Sequence, residues 1–285
     1  MKSKIILGTV QLGLAYGINN STGKPDREDA FKILDEASEL GIEILDTADS
    51  YGDSINKISA YLKSKENAFQ LISKFIGDNE SIVRKVDRTL STTGVTTLYG
   101  YLYHRYSDYV SGEYADDLKK LKDDKKIQRI GVSIYSVDEL EKVLDDPFIT
   151  IIQIPLNPFD LSVRKRELLL RAKELGKEIH VRSVFLQGLF FKDPDTLTGN
   201  LKGLAEPLRK FQTLAFDYHI QLRSACLGYA LHQPFVDRVV VGVETVDQLT
   251  DNLKSVCELP VELIKEIDGI GISDETLVNP GNWKL

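Results

Sequence analysis

Four side chains suited to proton transfer fall between positions 46 and 104: Asp46, Tyr51, Lys74 and His104. Three of them close short apolar runs that read as β-strands. Asp46 follows Ile42-Glu43-Ile44-Leu45, Lys74 follows Phe69-Gln70-Leu71-Ile72-Ser73, and His104 follows Leu98-Tyr99-Gly100-Tyr101-Leu102-Tyr103. Tyr51 lies five residues past Asp46, just before Gly52. A phenol is a weak acid, with a pKa near ~10, and a cation beside its oxygen stabilises the phenolate. Lys74 is the candidate cation. A lysine stripped of water needs a counter-ion to stay charged, and Asp46 is the candidate for that. His104 is placed to hydrogen-bond the same substrate oxygen or to share the proton. Together the four suit proton delivery to a carbonyl oxygen and stabilisation of its developing charge. Singly, each has a plainer reading: a packed Tyr, a capping Asp, a solvated Lys, a structural His. Their grouping at the ends of consecutive strands makes the chemical reading specific.

The elements that must bring these residues together alternate from end to end. Strands are expected at Lys4–Thr9, Ile42–Asp46, Phe69–Lys74, Leu98–His104, Arg129–Ser133, Ile149–Ile154, Glu178–Ser183 and Arg238–Val241. Between them lie segments with helical spacing of apolar residues, such as Asp26–Leu40, with Asp26 as cap and Gly41 as stop. Ser136 and Glu139 have the spacing of a capping box. Asp108–Lys122 reads as one helix, and Phe185–Asn200 as a long loop. Eight such units in one domain over 1–285 predict a closed (β/α)8 barrel of the TIM type, whose chemistry sits at the C-terminal ends of the strands. An open doubly wound sheet alternates in the same way. It would place a G-x-G-x-x-G turn after an early strand, and Gly8, Gly13 and Gly17 do not match it.

Composition narrows the partners. The chain has 285 residues, 42% apolar and 28% charged, with a net charge of −7. That balance argues against broad nucleic-acid binding, which shows a basic face. No apolar run approaches the ~20 residues that span a bilayer, and Lys2 and Lys4 precede no secretory h-region. Cys226 and Cys257 form neither a metal-ligand spacing nor a disulfide framework, so no metal site is expected and a reducing, cytoplasmic location is expected by default. Nothing marks an oligomeric interface.

The motifs resemble the aldo-keto reductase family. Asp46-Thr47-Ala48-Asp49-Ser50-Tyr51-Gly52 is similar to its D-T-A-x-x-Y-G signature, Gly8-Thr9 to its first-strand G-T, and Ile72-Ser73-Lys74 and Leu102-Tyr103-His104 to its strands bearing Lys and His. Gly131-Val132-Ser133 resembles its G-V-S-N, and Gln153 with Asn157 its Q-x-x-x-N. The resemblance implies NAD(P)H-dependent reduction of a carbonyl, or its reverse. Tyr51 would be the acid, Lys74 and Asp46 its tuners, and His104 the substrate orienter. It also implies that Ser133 and Gln153 hold the nicotinamide amide, although Ile134 stands where Asn is usual. Arg182 stands where an aromatic residue often stacks on the nicotinamide; a planar guanidinium can take that place. Ser183, Leu186 and Gly188 match loop positions around the pyrophosphate. Gly242 and Glu244 begin the last nucleotide-binding loop, with Gln248 and Asn252 at adenine-contact positions.

Two expectations reach further. Glu244 stands where NADPH-preferring relatives carry Arg or Lys. A carboxylate there repels a 2′-phosphate and accepts hydrogen bonds from ribose hydroxyls, favouring NAD. For the substrate, Arg105 with Tyr16, Tyr103, Tyr135, Phe159 and Trp283 is expected to line the mouth. Those residues suit a small carbonyl compound, a sugar or sugar derivative, including an anionic one. The alternatives are an NAD-dependent aldose 1-dehydrogenase and a low-turnover nucleotide-binding regulatory subunit.

Overall fold

Alternation along each barrel strand decides which side chains face the interior and which face the surrounding helices. The structure is a computed structural model and describes residues 1–18, 20, 22–65, 69–272 and 274–284. Its strands are β1 Ile5–Gly8, β2 Ile44–Asp46, β3 Gln70–Phe75, β4 Gly100–Tyr103, β5 Ile130–Ser133, β6 Ile149–Pro155, β7 Glu178–Arg182 and β8 Arg238–Gly242. Each pairs in parallel with the next, and β8 closes on β1. This is the expected (β/α)8 barrel, and closure excludes the open sheet.

Successive side chains of a strand point to opposite faces. One set, Ile6, Ile44, Ile72, Leu102, Ile151 and Val240, packs together inside the barrel. Two residues further along the same strands stand Gly8, Asp46, Lys74, His104, Gln153 and Gly242, all at the mouth. The apolar plug therefore fixes the direction of the polar layer above it. Outward-facing residues such as Leu7, Leu45, Leu71 and Val181 form the main core with the surrounding helices.

The capping box on the helix Val137–Val143 forms as read, with Ser136 and Glu139 reciprocally bonded. Asp26 caps the helix Arg27–Glu39 by accepting from the Asp29 N–H. The segment expected as one helix over Asp108–Lys122 is instead two, Tyr106–Ser111 and Ala115–Asp123. Gly112 ends the first in the left-handed region, at φ +70°. The long loop before residue 200 holds the 3-10 turns Leu186–Phe191 and Pro194–Thr196 and the start of a third, Gly199–Leu204. With the helices Ala205–Asp217, Leu222–His232 and Val261–Asp268 it builds a second core around Phe190, Phe211 and Tyr229.

Candidate active site

The Tyr51 loop is held from three sides. Thr9 donates to the Asp46 carbonyl through both its N–H, at 3.0 Å, and its hydroxyl, at 3.0 Å, while Ser54 donates to the Thr9 hydroxyl. Asp49 N–H donates to the Lys74 carbonyl at 3.0 Å, fixing the loop to β3. The short helix Val10–Gly13 packs directly on it: a Cβ at position 13 would collide with the Tyr51 carbonyl, so only glycine permits this approach. Lys57 secures the same helix by donating to the carbonyls of Leu12 and Pro25.

The four residues singled out for proton transfer come together. Lys74 and Asp46 form a buried ion pair, 1% and 3% exposed. Gln153 donates to the second carboxylate oxygen of Asp46 at 2.8 Å, and Lys74 also donates to the Thr47 carbonyl at 3.2 Å. The Lys74 ammonium lies 5.1 Å from the centroid of the Tyr51 ring and acts on the phenol as a charge and as a hydrogen-bond partner. The Tyr51 and His104 rings meet edge to face, 5.7 Å between centroids. His104 Nδ1 is 3.2 Å from the Ser50 hydroxyl.

Electrostatics divide the roles. Desolvation pushes the Tyr51 phenol above its ordinary value, and Lys74, pulling the other way, does not outweigh it. Lys74 pulls the phenol down as expected, but burial outweighs that pull, and at neutral pH Tyr51 holds its proton. Desolvation alone would lower Lys74, but Asp46 and Tyr51 raise it on balance, so it stays charged. His104 is lowered to about 4, first by desolvation and then by the charge of Lys74, with Arg182 and Arg105 adding to it. It is a neutral imidazole at pH 7. Asp49, in the Tyr51 loop, is raised to about 6 by desolvation, against the pull of Lys85, whose ammonium is 3.7 Å away.

One groove of about 400 Å³ connects this cluster to the far side of the mouth. Gly8, Thr9, Ser133, Gln153, Arg182, Ser183, Gly188, Gly242, Glu244, Gln248 and Asn252 all line it with the proton-transfer residues. Leu186 does not. Its side chain is fully buried in the second core, because positive φ at Leu186 (+45°) and Gln187 (+52°) turns it away from the groove. Arg182 stacks on the Tyr135 ring at 4.1 Å and donates to the Ile134 carbonyl at 3.1 Å. Glu244 and Gln248 bind each other twice: Glu244 N–H donates to Gln248 Oε1 and Gln248 Nε2 donates to Glu244 Oε2.

Of the residues expected at the substrate end, Tyr16 and Tyr135 line the groove and Arg105 lines an adjoining cavity. Tyr103 and Phe159 do not reach it; Tyr103 faces outward into the main core and Phe159 sits in the second. Trp283 packs on the second core and donates to the Leu277 carbonyl. Among the lining residues that escaped the sequence reading are Gln11 and Arg223. Gln11 presents a buried Oε1 with no hydrogen-bond partner, seated where a Cβ on Gly242 would collide with it. Arg223 reaches in from the helix Leu222–His232 and donates to Asn252 Oδ1 at 2.6 Å. An elongated groove with a glycine floor, an orphaned acceptor and a polar far end fits a dinucleotide.

A closed parallel barrel with a phenol, an ammonium, a carboxylate and an imidazole around such a groove has the make-up of a barrel oxidoreductase. The chain belongs to the aldo/keto reductase family, whose sequence model matches residues 4–272. The family is one of NAD(P)-dependent oxidoreductases that act on small-molecule carbonyl compounds. The chain is 29% identical to aldo-keto reductase str7 of Strobilurus tenacellus over 211 residues, covering 68% of this chain and 61% of that protein. The chain thus spans about three fifths of that relative's length. With the NADH-specific methylglyoxal reductase of Escherichia coli (strain K12) it shares 24% identity, covering 88% of this chain and 89% of that protein. In fold it is similar to aldo-keto reductase AKR11C1 from Bacillus halodurans in its holo form, with a TM-score of 0.74 and 21% identity over 94% of this chain and 91% of that one. Among the described residues no helix is long and apolar enough to cross a membrane, and no group of three His, Cys, Asp or Glu is placed to hold a metal ion.

Proposed function

We propose that this protein reduces an aldehyde or ketone, sugars and sugar derivatives included, with Tyr51 as the general acid. The observation that supports this most is the orientation of the buried Lys74–Asp46 pair, which presents the ammonium to a phenol that opens on the groove. A bound nicotinamide supplies the hydride that the carbonyl carbon accepts. Tyr51, protonated at neutral pH, gives its proton to the carbonyl oxygen, and Lys74 stabilises the phenolate left behind. Asp46 keeps Lys74 charged, and Gln153 fixes the Asp46 carboxylate. In the tautomer where the Ser50 hydroxyl donates to Nδ1, neutral His104 offers an Nε2–H to the same substrate oxygen.

Ser133, Gln153 and Arg182 would hold the nicotinamide end of the dinucleotide. Gly8, Thr9, Ser183 and Gly188 would flank the pyrophosphate, and Gly242, Glu244, Gln248 and Asn252 the adenosine. Glu244, held in place by Gln248, would repel a 2′-phosphate, so NADH binds at least as tightly as NADPH. Titrating both nucleotides, and screening aldehydes, ketones and aldoses with each in both directions, tests the reading. Carbonyl reduction with NADH is expected. Nucleotide binding without turnover in either direction would instead favour a regulatory subunit, and much tighter NADPH binding would remove the role given to Glu244.

A further inference from the structure

Beside His104 and next to the groove lies a second cavity of about 830 Å³, with His104 and Tyr135 on the wall of both. Arg105, Tyr106, Ser107 and Val110 form much of its remaining wall. Arg105 is exposed, and among the described residues its guanidinium has neither a hydrogen-bond nor an ion-pair partner. The other cations near His104 are already engaged: Lys74 by Asp46, and Arg182 by the Ile134 carbonyl and the Tyr135 ring. Glu139, the carboxylate on this wall, is turned to the backbone, its Oε2 accepting from the N–H groups of Tyr135 and Ser136. An uncompensated guanidinium therefore lines the cavity that adjoins His104. The positive character is local, since the chain as a whole carries −7.

Resting on the reductase reading above, we propose that the preferred substrates are carbonyl compounds bearing a carboxylate or phosphate, anchored by Arg105 in the cavity beside His104. Guanidinium is planar and offers paired donors that match both anions. The aromatic rings of Tyr106 and Tyr135 and the Val110 side chain suit the short carbon chain between anion and carbonyl. His104, orienting the carbonyl, and Arg105, holding the anion, are adjacent in sequence, so the two ends of the substrate are fixed by one segment of backbone.

Matched pairs test this: 4-oxobutanoate against butanal, and glyceraldehyde 3-phosphate against glyceraldehyde, with wild type, Arg105→Gln and Arg105→Lys. In the wild type the anionic member of a pair should show a kcat/KM about 10- to 100-fold higher, expressed in KM, as expected of a charge-assisted hydrogen-bonded pair. Arg105→Gln should narrow that ratio to within about threefold and Arg105→Lys restore part of it. An advantage confined to carboxylates, or to phosphates, identifies the anion and supports the proposal. Calorimetric titration of succinate, with succinamide as the neutral control, reads the site without turnover. Succinate alone should bind the wild type, and Arg105→Gln should lose it. Neutral aldehydes reduced as well as their anionic counterparts, or an advantage that survives in Arg105→Gln, would overturn the proposal and leave the reductase reading standing. If no aldehyde is reduced but succinate still binds through Arg105, the reductase reading fails and the anion site stands. If neither occurs, both fall.

Discussion

The two ends of the barrel carry the same four kinds of side chain, and only the set at the mouth lines the groove. At the mouth stand Asp46, Lys74, Tyr51 and His104. At the floor, around the starts of β4, β5 and β7, stand Glu178, Arg129, Tyr99 and His180. On the floor the carboxylate is the hub. Glu178 Oε1 accepts from the Tyr99 hydroxyl at 2.7 Å and lies 2.9 Å from His180 Nε2, while Oε2 pairs with Arg129 Nε at 3.2 Å. The Arg129 guanidinium also covers the Tyr99 ring at 4.3 Å. The phenol proton is spent on the carboxylate, and the cluster serves as a polar plug. At the mouth the carboxylate is taken up by Lys74 and Gln153 instead, so the phenol is left facing the groove. Residue types do not distinguish the two clusters; the direction of their hydrogen bonds does. Charge and ring chemistry at a barrel floor serves stability, and at its mouth serves reaction.

Breaking each cation separates the two ends most sharply. Lys74→Met leaves Asp46 buried without its counter-ion. It should lower stability by about 3–5 kcal/mol, the usual cost of orphaning a buried charge. Denaturant titration checks this, together with a reduced rate and a shifted pH–rate profile in whatever folds. Arg129→Met at the floor removes a cation that is 36% exposed from a carboxylate with other partners, and should cost no more than about 1 kcal/mol.

A smaller effect concerns pH. Glu178 is held down to about 2; its burial opposes this but is outweighed by hydrogen bonds from His180 and Tyr99 and by nearby positive charge. A depressed carboxyl stabilises the fold above its unfolded pKa of about 4.5 and loses that contribution as pH falls toward 2. Glu178→Gln should therefore cost at most about 3 kcal/mol at pH 7, and the difference from wild type should shrink between pH 4.5 and 2. Thermal unfolding across that range reads it directly.

Much of this was legible in the chain. An apolar residue two positions before Asp46, Lys74, His104 and Gln153 places each on the inner face above the plug, so strand parity alone predicts their convergence. What parity cannot supply is the weighing of opposed effects. Lys74 next to Tyr51 reads as a lowered phenol, and desolvation at the mouth reverses the sign. Nor does it report contacts made by distant helices: Arg223 enters the groove only because the Leu222–His232 helix packs there. Leu186 has the spacing of a groove residue, but its left-handed backbone sends it into the core. Gln11 was readable in principle, since it follows Gly8-Thr9 within the first turn, yet its seat in the groove comes from packing against Gly242 across the barrel closure.

The most direct test exchanges one oxygen atom at each end. Tyr51→Phe and Tyr99→Phe are compared for carbonyl reduction, nucleotide affinity and unfolding midpoint. Tyr51→Phe should lose a factor on the order of 10²–10⁴ in turnover, the scale of general acid catalysis, with nucleotide affinity kept. Tyr99→Phe should keep its turnover and instead lose about 1–3 kcal/mol of stability with its hydrogen bond to a charged partner. Turnover that survives in Tyr51→Phe, or falls equally in both variants, would contradict the assignment of the proton to the mouth.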